Sequence, residues 1–147
     1  MPVIIMQGIP GAGKTTYVNN HFRIAAVVSA DDFFRQDGEY KFDPTKLGEA
    51  HKWCMRWFIK NIERDVYLTS TIVVDNTNST LWEMYPYISV AAARGYEVEV
   101  IRIEAFPSVA AARNVHGVPE SVVNRMAGRL ELPLPFWPCT FRLIVGE

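Results

Sequence analysis

The sequence predicts an α/β fold in which a parallel β-sheet is covered by helices on both faces. Short apolar runs typical of buried strands alternate with amphipathic segments typical of helices. A glycine-rich segment, Gly8 to Gly13, stands between the first apolar run and the first helical segment. The length of 147 residues suits one domain, so we expect residues 1–147 to form a single unit.

Composition and charge limit the classes of partner. The formal net charge is −1, so a nucleic acid would have to be bound by a local cluster of basic residues. The two cysteines, Cys54 and Cys139, lack the spacing of a zinc site or a disulfide framework. Neither a signal peptide nor an apolar run long enough to span a membrane is recognisable, so we expect a cytoplasmic protein without membrane contact.

Five segments are predicted to be strands because they are apolar or alternate in character. They lie at residues 3–6, 25–28, 71–74, 96–103 and 141–145. Asp31 and Asp32 follow the second strand, and a polar run from Asp75 to Ser79 follows the third. These carboxylates should therefore lie at the carboxyl edge of the sheet, where open α/β sheets bind their ligands.

Four segments are predicted to be helical. The first starts near Lys14, and the second starts at Asp43 and Pro44, an N-cap with proline in the first turn. The third covers residues 80–94 and ends before Gly95. The fourth covers residues 107–129 with an interruption at 116–119. We expect the segment at about 107–130 to form a small helical lid hinged at that interruption.

The second helix is predicted to turn an apolar stripe towards the core. The stripe consists of Leu47, Ala50, Cys54, Trp57 and Ile62. Trp53 stands outside this stripe, so it could either pack or stack on a nucleobase.

Residues 8–15 fit the pattern GxxxxGK followed by Ser or Thr, between a predicted strand and a predicted helix. This context predicts a phosphate-binding P-loop and, with the alternation above, the three-layer sandwich of a P-loop NTPase. Backbone N–H groups and the helix N-terminus would hold phosphate oxygens, and Lys14 would reach the β- and γ-phosphates. The residues predicted to bind the nucleotide are Gly8, Gly11, Ala12, Gly13, Lys14, Thr15 and Thr16.

Two carboxylates could act together with the P-loop. The Thr15 hydroxyl is predicted to bind Mg²⁺, and Asp75 could hold a water of that ion or merely cap the following turn. Asp31 could accept the proton of an attacking hydroxyl, or it could cap the turn into Phe33 and Phe34. Arg35 nearby suits an acceptor that carries a phosphate.

Further cations lie in or after the predicted lid. Arg113 is the preferred lid cation, because closing over the triphosphate would bring positive charge to the transferring group and exclude water. Arg125 and Arg129 share one face of a helix, where they could be solvent-exposed or contact a base. His116 could be a ligand contact or a polar hinge residue.

Several segments together resemble the polynucleotide-kinase-like P-loop kinases. They are Gly-Ile-Pro-Gly-Ala-Gly-Lys-Thr at 8–15, Ser-Ala-Asp-Asp-Phe-Phe at 29–34, Tyr-Lys-Phe-Asp at 40–43, Ala-His-Lys-Trp at 50–53, Val-Asp-Asn-Thr-Asn at 74–78 and Arg-Asn-Val-His-Gly-Val-Pro at 113–119. The chain is most similar to the AAA domains related to bacteriophage polynucleotide 5′-hydroxyl kinase. The resemblance covers most of the chain.

This resemblance implies a five-stranded parallel sheet with strand order 2-3-1-4-5. It also implies ATP- and Mg²⁺-dependent phosphorylation of a hydroxyl on a nucleic acid or nucleotide, either a 5′ end or a modified base. By position, Lys14 and Thr15 match the family's phosphate and metal residues, and Asp31 matches its general base. Arg35 stands one residue beyond the position of the arginine that binds the acceptor's phosphate.

Three hypotheses for the function follow. The first is a kinase that acts on a nucleic acid, with a short or single-stranded acceptor favoured by the near-neutral charge. The second is a kinase for a small molecule or nucleotide sugar. The third is a binding module switched by ATP without phosphoryl transfer, which would need no general base at Asp31.

Overall fold

The computed structural model describes residues 2–113 and 117–145. Its centre is a five-stranded sheet in the order β2-β3-β1-β4-β5, and every neighbouring pair is parallel. The strands are β1 (Pro2–Gln7), β2 (Ala26–Val28), β3 (Ile72–Asp75), β4 (Glu97–Glu104) and β5 (Thr140–Val145). The predicted fold class and strand order are confirmed.

The central strands are apolar because both of their faces are covered. Val3, Ile5 and Met6 in β1 are fully buried, and so are Val73 and Val74 in β3. In register, Met6 of β1 lies opposite Asp75, the last residue of β3. The P-loop that follows β1 and the carboxylate that ends β3 therefore leave the sheet at the same edge.

In the part of the chain that the structure describes, five α-helices connect and cover the strands. They are α1 (Lys14–His21), α2 (Leu47–Arg64), α3 (Leu81–Ala93), α4 (Pro107–Arg113) and α5 (Glu120–Gly128). Asp43 accepts a hydrogen bond from the Thr45 amide at 3.0 Å and so caps a 3₁₀ turn that leads into α2. Gly95 follows α3 with a φ of 92°, as expected for a glycine that ends a helix.

Two apolar cores lie on opposite faces of the sheet. Cys54 and Phe58 of α2 pack with Met84 and Ile88 of α3 on one face. Residues of α1, α4 and α5 pack on the other face, represented by Val18, Ala110 and Val123. The helices α4 and α5 pack against each other in the region predicted to be a lid. His116, the predicted hinge residue, lies outside the described residues.

The predicted inward stripe of α2 is wrong at two positions. The buried residues are Ala50, Cys54, Phe58 and Ile62, at successive spacings of four. Leu47 is 42% exposed and Trp57 is 38% exposed. Because one turn holds 3.6 residues, Phe58 lies closer to the direction of Cys54 and Ile62 than Trp57 does. Trp57 thus lies at the border of the packed face, and the structure leaves it partly accessible.

No α-helix in the described parts of the chain is long and apolar enough to cross a membrane.

Candidate active site

The P-loop turns sharply between β1 and α1. Gly11 and Gly13 have φ angles of 81° and 105°, in the left-handed region that glycine adopts without a steric penalty. Gly13 is the N-cap of α1, so the amides of Lys14 and Thr15 belong to a first helical turn, where N–H groups have no partner within the helix. Ala12 is buried and its amide donates to the carbonyl of Ile9 at 3.1 Å. The loop is therefore shaped to hold an anion.

Lys14 folds back over its own loop. Its ammonium donates to the carbonyl oxygens of Gly8 at 2.8 Å and Ile9 at 3.0 Å. Burial lowers the pKa of Lys14 to about 8, and the negative charges of Asp75 and Asp31 oppose that shift. The ammonium is therefore held at the P-loop, where a phosphate bound by the loop would pair with it.

Thr15 and Asp75 contact each other across the same edge of the sheet. The Thr15 hydroxyl donates to Asp75 Oδ2 at 2.9 Å. Burial raises the pKa of Asp75, while Lys14 and the hydrogen bond from Thr15 act in the opposite direction. Asp75 therefore points at the P-loop.

Asp31 lies just beyond the end of β2, in a 3₁₀ turn that covers Ala30–Arg35. The Ala30 amide donates to Asn76 Oδ1 at 2.8 Å, which ties the end of β2 to the end of β3. Ser29 caps the turn, since its hydroxyl oxygen accepts from the Asp31 amide at 3.3 Å. The negative charge of Asp31 acts to raise the pKa of both Lys14 and Asp75, so this carboxylate lies within electrostatic range of both groups.

Tyr40 joins Asp31 to Arg35, a connection that the sequence analysis missed. Burial and a hydrogen bond to the Asp31 carboxylate raise the pKa of Tyr40 to about 12. The Arg35 guanidinium lies 5.2 Å from the centre of the Tyr40 ring and pairs with Asp32 at 3.4 Å. The only signal for this contact in the sequence was the segment at 40–43, which carried the family resemblance without a role for Tyr40.

A cavity of about 430 Å³ adjoins the P-loop on the side of β4 and β5. It is lined mainly by apolar groups, among them Ile9, Phe106 and Leu130, together with the charged residues Arg102 and Glu104. Arg102 Nε donates to Gln7 Oε1 at 2.7 Å, while its Nη2 is buried and has no hydrogen-bond partner within the described residues. This cavity was not predicted from the sequence, although Arg102 stands between the apolar residues Ile101 and Ile103 of a predicted strand.

The other predicted residues are exposed to solvent. Thr16 is exposed on the first turn of α1. Arg113 is exposed at the last residue of α4. Arg125 and Arg129 are also exposed, in and just after α5. Their contribution to the site remains a prediction.

Gly8 provides a test of the P-loop that does not depend on ligands. A Cβ at Gly8 would lie 2.7 Å from the carbonyl oxygen of Ile103, a backbone atom that cannot easily move. We expect Gly8→Ala to lower the free energy of unfolding by about 1–3 kcal/mol, measured by urea denaturation. Gly48, in the first turn of α2, is the matched control, because a Cβ there meets no atom within 4 Å.

Gly48→Ala should raise the free energy of unfolding by about 0.4–1 kcal/mol, because it restricts the unfolded chain. Equal effects of the two substitutions would contradict the close approach at Gly8.

The fold and the site together define a P-loop kinase-like domain: five parallel strands in the order 2-3-1-4-5, a glycine-rich phosphate loop after β1, and carboxylates after β2 and β3. Residues 3–133 match the model of the AAA domain family AAA_33. The chain belongs to this family, which confirms the resemblance seen in the sequence.

Several known proteins are similar to this chain in sequence or in fold. Human NEDD4-binding protein 2 is 32% identical over 131 residues, which are 84% of this chain but only 7% of that protein. A chain of the Pnkp1/Rnl/Hen1 RNA repair complex has a TM-score of 0.69 at 18% identity, covering 88% of this chain and 43% of that one. A sugar kinase from Janibacter sp. HTCC2649 has a TM-score of 0.64 at 15% identity, covering 99% and 85%.

Proposed function

We propose that the chain is an ATP-dependent kinase that transfers the terminal phosphoryl group of ATP to a hydroxyl on a nucleic acid or nucleotide. The observation that carries this proposal is the position of Asp31, a carboxylate in the turn that follows β2, which a hydrogen bond from the Ala30 amide to Asn76 holds against the end of β3, where Asp75 lies. A site that only bound and released ATP would need no carboxylate opposite the triphosphate.

The transfer step uses four groups of this chain. The acceptor oxygen attacks the γ-phosphorus, the bond to the β–γ bridging oxygen breaks, and ADP leaves with that oxygen. Asp31 accepts the proton of the attacking hydroxyl, and the hydrogen bond from Tyr40 holds its carboxylate in place. Lys14 neutralises charge on the β- and γ-phosphates, and we assign Arg113 the same role from the proposed lid.

The residues present fit Mg²⁺. Thr15 and Asp75 place a hydroxyl and a carboxylate oxygen within 2.9 Å of each other, and hard oxygen ligands are those that Mg²⁺ takes in phosphoryl-transfer sites. Within the described residues no group of three or more His, Cys, Asp or Glu could hold a metal. Such a sparse set suits an ion that keeps several waters and binds substrate phosphates. When bound, Mg²⁺ would offset negative charge on the β- and γ-phosphate oxygens.

The cavity beside Ile9 is the proposed site of the adenine base. Its volume of about 430 Å³ lies within the range of small-ligand sites, and its lining is largely apolar. Arg102 lines this cavity, and its guanidinium would supply a hydrogen-bond donor to a ring nitrogen.

A nucleic acid acceptor is favoured by the family resemblance and by the similarity in fold to a chain of an RNA repair complex. A small-molecule acceptor is the second candidate, because a sugar kinase has a similar fold over nearly all of this chain.

Incubation with γ-labelled ATP and a panel of acceptors tests the proposal. The panel contains DNA and RNA oligonucleotides with a 5′ hydroxyl, nucleosides and sugars. We expect label on the oligonucleotides and none on the sugars. Label on a sugar alone would establish the second candidate. ATP binding without label on any acceptor would support a switched binding module instead.

A further inference from the structure

Aromatic rings lead away from Asp31 towards the outer surface of α2. Phe33 stands two residues after Asp31 in the same 3₁₀ turn. Its ring lies 6.1 Å from the ring of Trp53, which in turn lies 6.2 Å from the ring of Trp57. Phe33 and Trp53 are half-buried, and Trp57 is 38% exposed. These three residues, which we call the aromatic track, form a continuous path that begins in the turn that carries the candidate general base.

A basic stripe runs beside the aromatic track. Lys52, Arg56 and Lys60 are spaced four residues apart on α2 and are all exposed. This spacing places them on one face of the helix. Lys60 Nζ lies 4.8 Å from the centre of the Trp57 ring. Residues 50–62 contain no aspartate or glutamate, so this part of α2 is locally positive in a chain whose net charge is −1.

Positive charge interleaved with accessible aromatic rings matches the chemistry of a single-stranded nucleic acid. Its phosphates pair with lysine and arginine, and its unpaired bases can stack on aromatic side chains. A duplex hides its base faces within the stack, and an acidic peptide offers charge without bases. The aromatic track together with the basic stripe therefore favours a single-stranded nucleic acid more specifically than a positive patch alone would.

We propose that α2 binds the single-stranded nucleic acid whose terminal hydroxyl lies at Asp31, with the following nucleotides along Trp53, Trp57 and the basic stripe. This inference rests on the proposed function for the position of the hydroxyl. It adds a binding surface outside the nucleotide site, and it implies that acceptors long enough to reach Trp57 bind more tightly than a single nucleotide.

Direct binding tests the surface without any phosphoryl transfer. The probes are oligothymidine and oligouridine of about 12 nucleotides, each with a free 5′ hydroxyl and a 3′ fluorescein, and binding is followed by fluorescence anisotropy. We expect Trp57→Ala to weaken binding on the order of tenfold, because a base loses its stacking partner. We expect Arg56→Ala to weaken binding and to reduce the salt dependence by about one phosphate contact.

Matched controls come from α3. Trp82 is 88% exposed there, and Arg94 is exposed at the C-cap of that helix. Trp82→Ala and Arg94→Ala should bind both probes like the unchanged protein. Thermal unfolding followed by circular dichroism checks that the variants fold, which we expect because all four side chains are exposed.

The outcomes separate this surface from the kinase proposal. Unchanged affinity in both Trp57→Ala and Arg56→Ala would overturn the proposed binding surface on α2, and it would not affect the proposal of phosphoryl transfer. A duplex or polyglutamate that competes as well as the single strand would also overturn it, because charge alone would then explain binding. If these variants bind more weakly but the unchanged protein transfers label to no acceptor, the proposed binding surface stands and the proposed kinase activity is rejected.

Discussion

Replacing Asp31 with asparagine is expected to lower kcat for phosphoryl transfer by about 10²–10⁴-fold, the usual contribution of a positioned general base. Asparagine has nearly the same shape and can still accept the hydrogen bond from Tyr40, but it cannot take the proton of the attacking hydroxyl. ATP should bind at least as tightly as before, because a negative charge near the triphosphate is removed. Steady-state kinetics with labelled ATP and calorimetry measure the two effects separately.

Asp32 offers the matched control for this experiment. It follows Asp31 directly, but its carboxylate is half exposed and pairs with Arg35 at 3.4 Å. Asp32→Asn should keep kcat within a few-fold of the unchanged protein, since exposed ion pairs of this kind contribute little. Transfer by Asp31→Asn at the unchanged rate would remove Asp31 as the general base.

Replacing Lys14 with methionine is expected to have two opposite effects. ATP binding should weaken on the order of 100-fold or more, because a buried cation that pairs with phosphates is lost. The nucleotide-free protein should become more stable by about 1–3 kcal/mol at pH 7, since burial makes the ammonium costly and lowers its pKa to about 8. Calorimetry with ATP and urea denaturation measure these effects.

The lowered pKa of Lys14 also predicts how the stability of the protein changes with pH. The folded pKa of Lys14, about 8, is below its ordinary value of 10.5. Between these two pH values Lys14 is protonated in the unfolded chain more often than in the folded protein. Its contribution to the free energy of unfolding therefore rises with pH. The destabilisation caused by burying the charged Lys14 ammonium is fully present below pH 8 and disappears as the pH rises towards 10.5. The methionine variant should lack this rise.

Lys46, an exposed residue before α2, is the control for Lys14. Lys46→Met should change neither ATP binding nor the pH profile of stability. A Lys14→Met variant that is less stable than the unchanged protein at neutral pH would mean that the hydrogen bonds to Gly8 and Ile9 outweigh the cost of burying the charge.

Some features of the site could be predicted because their signals are local. The P-loop pattern fixes glycines within eight consecutive residues, and the strand pattern places Asp31 and Asp75 just after apolar runs. The positions of Leu47 and Trp57 were predicted wrongly from the same kind of pattern. An apolar stripe defines the buried face of a helix only to within about one residue, so the choice between Trp57 and Phe58 depended on what α2 packs against.

The parallel α/β class, the phosphate loop and the two carboxylates near the ends of neighbouring strands were predictable from the sequence alone, because each depends on spacing within a few residues. The contact of Tyr40 with Asp31, the link that Asn76 makes between β2 and β3, and the contact of Arg102 with Gln7 beside a cavity depend on the tertiary structure. Gln7 and Arg102 are 95 residues apart, and parallel pairing of β1 with β4 brings them together. Contacts of this kind have no local pattern, because the packing of the whole sheet determines them.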